Sequence, residues 1–90
     1  MQIIFGRKFK KSYQKADKKI QKLFNRRLKL FLQNPLDSSL NNHALSGKYK
    51  KYRSINVTGD WRALYSESTD LKGEVVILFE VLGTHSQLYK

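Results

Sequence analysis

The spacing of apolar residues changes period once along this chain, and that change dictates the kind of fold it can adopt. In the first third, Phe9, Tyr13 and Ala16, then Ile20, Leu23, Phe24, Leu28, Phe31 and Leu32, recur at helical spacing, which lines one face of a helix with apolar side chains. Two amphipathic helices are expected, one from residue 7 to about 16 and one from 17 to about 33. Asp17 is the N-cap of the second, and Asn34-Pro35 its stop, because proline disfavours helical backbone in the residue before it. From residue 52 the pattern alternates, with Arg53, Ile55 and Val57 on one face and Tyr52, Ser54 and Asn56 on the other, the period of a strand.

The remaining segments complete an α+β plan. Residues 2–5 are a short apolar run that reads as a first strand, and residues 36–47 turn to Asp, Ser, Asn and Gly, an irregular connection that contains His43. Thr58-Gly59-Asp60 signals a tight turn into a strand over 61–67, and a second turn around 69–73 leads to 74–82. That last run is almost continuously apolar, as a central strand buried on both faces would be. The tail from Gly83 to Lys90 is polar again. The expected order is an N-terminal strand, a two-helix hairpin, then antiparallel strands forming a twisted sheet with the helices packed on one face. At 90 residues this is one domain, 1–90. The chain has no cysteine, so packing rather than disulfides or thiolate-bound zinc must support it. A cytoplasmic address fits that composition, and the few apolar residues before the first basic run have the wrong order and length for a signal peptide. No stretch approaches the roughly 20 apolar residues of a membrane span.

The charge is lopsided in amount and in position. The chain carries 18 Lys and Arg against 7 Asp and Glu, a net +11, which implies a polyanionic partner. Arg7, Lys8, Lys10, Lys11, Lys15, Lys18, Lys19, Lys22, Arg26, Arg27 and Lys29 all precede residue 30, where Asp17 is the only acid. They fall between the apolar positions and so line the outer faces of the helical hairpin. A second knot, Lys48, Lys50, Lys51 and Arg53, is interleaved with Tyr49 and Tyr52. That mixture suits RNA, since cations neutralise phosphates while rings stack on unpaired bases. A membrane surface is a poor alternative, because the basic helices lack the Trp/Phe-rich face of interfacial helices.

The residues able to do chemistry are few. The two histidines, His43 and His85, lie far apart in sequence and neither has metal-ligand spacing to anything, so no metal and no other cofactor is expected. His85 sits just past the most apolar strand, at a rim where a polar side chain can reach a ligand. Asp60, Arg62 and Tyr89 lie near the same strand ends. Each has an ordinary structural reading as well: a turn residue for Asp60, an ion pair with Glu67 or Glu80 for Arg62, a C-terminal anchor for Tyr89. Together, His43, Asp60, Arg62, His85 and Tyr89 could run RNA cleavage without a metal. Histidines exchange protons near neutral pH, and an Arg fork holds phosphate oxygens.

Asn41-Asn42-His43-Ala44-Leu45-Ser46-Gly47-Lys48-Tyr49, Tyr52-Arg53-Ser54-Ile55 with Gly59-Asp60-Trp61-Arg62-Ala63-Leu64-Tyr65, and Gly83-Thr84-His85-Ser86-Gln87-Leu88-Tyr89 agree in order and spacing with one family. Over essentially its whole length the chain resembles the RelE superfamily of bacterial toxins, and most of all its YafQ branch. The resemblance implies the RelE-like microbial RNase fold. It also implies a ribosome-dependent mRNA endonuclease, the toxin of a type II toxin–antitoxin pair, which cuts mRNA in the ribosomal A site. The branch's pattern assigns acid/base work to His43, Asp60 and His85, with His85 as proton donor, and nucleotide positioning to Tyr89. Arg62 matches an Arg of RelE-like relatives. The sequence departs from the branch at Ser54 and Asn56, where an acid and a second His can stand. The implied partners are a cognate antitoxin protein, ribosomal RNA and mRNA, with no membrane and no small-molecule substrate. Lys48, Lys50, Lys51 and Arg53 are expected near the scissile strand, and Lys18, Lys19 and Lys22 in ribosome docking. Two other readings use the same charge: a ParE-like toxin that inhibits gyrase by binding, and a non-catalytic rRNA- or DNA-binding module.

Overall fold

The computed structural model describes residues 1–89, so Lys90, the end of the expected polar tail, lies outside the described residues. The chain runs β1 (Gln2–Phe5), α1 (Arg7–Lys15), α2 (Lys18–Gln33), a 3-10 turn (Ser38–Leu40), β2 (His43–Ala44), a second 3-10 turn (Gly47–Tyr49), β3 (Arg53–Asn56), β4 (Trp61–Thr69), β5 (Val75–Thr84) and α3 (His85–Leu88). The longer helix, α2, begins and ends where local chemistry requires. The Asp17 carboxylate accepts the Ile20 backbone N–H at 2.9 Å and caps α2. Asn34, in front of Pro35, is extended at φ −155° and ψ 94° and ends it.

The sheet has five strands in the order β1-β5-β4-β3-β2. β1 runs parallel to β5, and the other neighbours are antiparallel. Two elements differ from the sequence expectation. The connection over 36–47 contains β2, which pairs His43 with Ser54 and Ala44 with Arg53, and the polar tail contains α3. Two residues cannot display a period, which is why β2 looks irregular in sequence.

The helices pack on one face, where Phe79 is fully buried beneath the rings of Phe5, Phe9, Phe24, Phe31 and Tyr65 at centroid distances of 5.5–5.9 Å. Burial of such rings is the main stabilising contribution of this core. β5 is central in the sheet, but it is not buried on both faces: Ile77, Phe79 and Leu82 are buried while Leu78, Glu80 and Val81 are half-exposed. The near-continuous apolar run has another cause. Register shifts between Leu64/Tyr65, which oppose Val81 and Phe79, so Glu80 is an extra, bulged residue. The bulge switches the parity of β5 and lets both Phe79 and Leu82 join the helix-facing core. On the far face Leu64 is fully buried, and α3 folds back at Gly83. A Cβ at Gly83 would lie 3.1 Å from Gln87 Oε1 and 3.4 Å from Leu88 Cδ2, so glycine permits this close return. No helix is long and apolar enough to cross a membrane.

Candidate active site

Antiparallel partners share a sheet face, and this places the site. The row His43, Ser54, Leu64, Val81 and the row Asn56, Arg62, Gly83 follow from the register, and both lie on the face opposite the helices. Above them is a cleft of about 330 Å³ lined by Asn41, His43, Leu45, Arg62, His85 and Tyr89. Four of the expected side chains, from three separate segments, therefore meet around one space.

His43 reaches the cleft from β2. Asn41, at φ 46°, ends the preceding 3-10 turn in the left-handed conformation that Asn tolerates well, and its carbonyl oxygen lies 2.7 Å from His43 Nδ1. A carbonyl only accepts, so Nδ1 carries the proton in the neutral ring and Nε2 keeps its lone pair. His85 comes from the opposite side as the first residue of α3. Thr84 and Gln87 form a capping box, and the His85 backbone N–H donates to the Asp60 carbonyl at 2.8 Å. These contacts fix α3 against the β3–β4 turn. The His85 and Tyr89 rings are 4.7 Å apart.

Arg62 lies between the histidines. Its Nη1 donates to the carbonyls of Thr58, at 2.9 Å, and Trp61, at 3.1 Å. The ion pair with Glu67 or Glu80 does not form: among the described residues the salt bridge present joins the N-terminal ammonium to Glu74. Two neutral carbonyls aim the guanidinium and, among the described residues, leave its charge uncompensated in the cleft, the arrangement of an anion site. Among the described residues there is no group of three or more His, Asp or Glu able to hold a metal ion.

The other expected residues are placed differently. Asp60 is not among the residues lining the cleft; its backbone carbonyl holds α3 by accepting the His85 N–H. Arg53 was expected among the RNA contacts. It lies on the helix-facing side of the sheet and donates from Nε to Asn42 Oδ1 at 2.8 Å, so it braces the segment carrying His43. Asn42 in turn donates to the Tyr65 hydroxyl at 2.8 Å. Lys48, Lys50 and Lys51 are exposed on the connection beside the cleft, and Lys18, Lys19 and Lys22 are exposed on α2, across the sheet from it. Ser54 Oγ and Asn56 Oδ1 are buried without a hydrogen-bond partner, directly opposite His43 and Arg62 in register. The sequence reasoning missed Asn41, Leu45 and Asn42 as site-building residues; the one available signal was the preference of Asn for left-handed backbone.

The same architecture occurs in known toxins. YafQ from E. coli is 25% identical with a TM-score of 0.79, over 98% of this chain and 97% of that one. YafQ in the E. coli DinJ-YafQ complex gives a TM-score of 0.66 at 25% identity over 98% and 97%. The archaeal RelE-RelB complex from Pyrococcus horikoshii, at 18% identity and a TM-score of 0.69 over 96% of each chain, shares the fold. None of the curated proteins matches the chain. The family model described as "Bacterial toxin of type II toxin-antitoxin system, YafQ" matches residues 1–90. With that match spanning its whole length, the chain belongs to the YafQ family of type II toxin–antitoxin toxins.

Proposed function

We propose that this toxin is a ribosome-dependent mRNA endonuclease that stops translation in the cytoplasm by cutting mRNA in the ribosomal A site. The observation that carries the reading is a cleft with two histidines on opposing segments and an arginine whose charge has no carboxylate partner among the described residues. His43 Nε2 removes the proton from the ribose 2′-OH, the oxygen attacks the adjacent phosphorus, and the P–O5′ bond breaks. His85 gives its proton to the departing 5′-oxygen. The products are a 2′,3′-cyclic phosphate and a 5′-hydroxyl. Arg62 stabilises the extra negative charge on the phosphorane, and Tyr89, whose ring lies 4.7 Å from that of His85, positions the nucleotide. The scheme needs protons and a fixed cation, not a metal. The tautomer of His43 favours it over Asp60 as the base. A cognate antitoxin, by analogy with the DinJ-YafQ and RelE-RelB complexes, holds the toxin inactive, and the +11 charge fits an acidic partner captured electrostatically.

Cell-free translation with the purified protein, followed by primer extension to map mRNA 5′ ends, tests this. New ends are expected only on translated mRNA, not on naked mRNA, and are lost with His85→Ala. Intact mRNA at concentrations that saturate ribosome binding overturns the nuclease reading and leaves a toxin that acts by binding.

A further inference from the structure

The aromatic wall of the cleft continues past Tyr89. Tyr89 meets Tyr49 nearly at right angles, 5.9 Å between centroids and 89° between planes, and Tyr49 lies 6.2 Å from Tyr52. With His85 and Tyr89 at 4.7 Å, four rings run without a break from the cleft along the second 3-10 turn. Ammonium groups accompany the outer two: Lys48 Nζ stands 5.1 Å from the Tyr49 ring centre and Lys51 Nζ 5.0 Å from that of Tyr52. Lys50 is exposed between them. Packing alone does not account for this composition. A turn held only by its core contacts needs one apolar anchor, whereas Tyr49 and Tyr52 are half-exposed and Tyr89 is 37% exposed.

Rings with cations at their faces match unpaired nucleotides: a base displaces the ammonium from the ring, and the ammonium moves to the phosphate. The ring spacings exceed the ~3.4 Å rise of stacked nucleotides, so such bases would be splayed, one to a ring, as single-stranded RNA allows and a duplex does not. Burial, and after it the neighbouring Glu80 carboxylate, raises the Tyr52 phenol above its ordinary pKa.

We propose that Tyr49 and Tyr52, with Lys48, Lys50 and Lys51, form a track for unpaired bases that leads single-stranded RNA away from the cleft on one side of the scissile bond. The location of that bond rests on the nuclease reading above; binding of a single strand along the track does not.

The test uses the full chain and a short single-stranded RNA blocked by a 2′-deoxyribose at the scissile position, with binding read by fluorescence anisotropy at low salt. Tyr49→Ala is expected to weaken binding about tenfold while Tyr49→Phe, which keeps the ring, binds as the parent does. An equal-length duplex should show no dependence on Tyr49. Abasic substitutions then scan the strand. In the parent, a lesion one or two nucleotides from the cut lowers affinity, and on one side only that sensitivity disappears in Tyr49→Ala. Tyr49→Leu keeps side-chain bulk without a π-face, so a variant of unchanged thermal midpoint separates stacking from folding. Parent-like binding by Tyr49→Ala and Tyr49→Leu, identical lesion sensitivity on both sides, or no binding of the single strand by the parent each overturns the track. Loss of Tyr49-dependent binding with mRNA cleavage intact refutes the track alone; Tyr49-dependent binding with no cleavage of translated mRNA refutes the nuclease alone.

Discussion

At His43 one backbone contact decides what the imidazole can do. The Asn41 carbonyl accepts a hydrogen bond from Nδ1–H, which in the neutral ring leaves the lone pair on Nε2 for the proposed role of proton acceptor. Arg62 follows the same logic, since two carbonyls orient it without neutralising it. Ser54 shows the opposite condition: a fully buried hydroxyl without a partner has lost its hydration with no hydrogen bond in return. Ser54→Ala removes that burden and should leave the protein unchanged or about 1 kcal/mol more stable in urea titration. A loss of more than about 1 kcal/mol would mean the hydroxyl has a partner in solution. That His43, Arg62, His85 and Tyr89 line one cleft was legible in sequence as a grouping of polar residues near strand ends. For Arg53 parity gave its face but not its partner, and Asn42 comes from a segment with no period to read.

Among the elements, α2 is the most directly encoded. Its Asp17 cap satisfies one of the N-terminal N–H groups that no intrahelical partner can reach. Asp17→Ala should cost about 1 kcal/mol, a drop of about 4–8 °C in thermal midpoint for a domain of this size; circular dichroism checks it, and an unchanged midpoint would show the cap to be idle. β5 was legible as a strand and as central, but its apolar run carried two explanations. Burial on both faces and a parity switch at a bulge give the same string of residues, and the pairing partner across the strand selects between them. β2 and α3 were illegible for a simpler reason: elements of two and four residues are held by their neighbours rather than by their own pattern.

For the whole molecule, the sheet divides the positive charge. The cations of α1 and α2 cover one side, and the cleft with Lys48, Lys50 and Lys51 opens on the other. Lys18 and Lys19 begin α2, whose first turn contains no acid, so they stand at the positive end of the helix dipole, where a cation is unfavourable by a few tenths of a kcal/mol. On the proposed reading their value lies in binding rather than in stability. Replacing Lys18, Lys19 and Lys22 by Gln should leave the thermal midpoint level or slightly higher. It should also flatten the dependence of log K on log salt for ribosome binding by about 0.7–0.9 per lost phosphate contact, measured by pelleting across a salt series. Cleavage at saturation should persist. Arg62→Ala is the converse: ribosome affinity close to that of the parent, with single-turnover cleavage slowed by about 100-fold or more. Equal losses from both variants would show one undivided patch.

The amino-acid sequence by itself determined the helices, the longer strands, the Asp17 cap and the excess of cations, because each is a matter of neighbouring residues and their spacing. It also carried the family, through blocks of residues kept in order. Only the tertiary structure decided that β1 runs parallel to β5, that Glu80 bulges, that Arg53 faces away from the cleft while Arg62 lines it, and that the Asp60 carbonyl holds α3. Those outcomes depend on pairs far apart in the chain: Phe79 with five rings from both helices and two strands, His85 with Asp60 across a turn, His43 with Ser54 across an edge. No local period encodes which distant partner a strand will meet, and the cleft is built from those meetings.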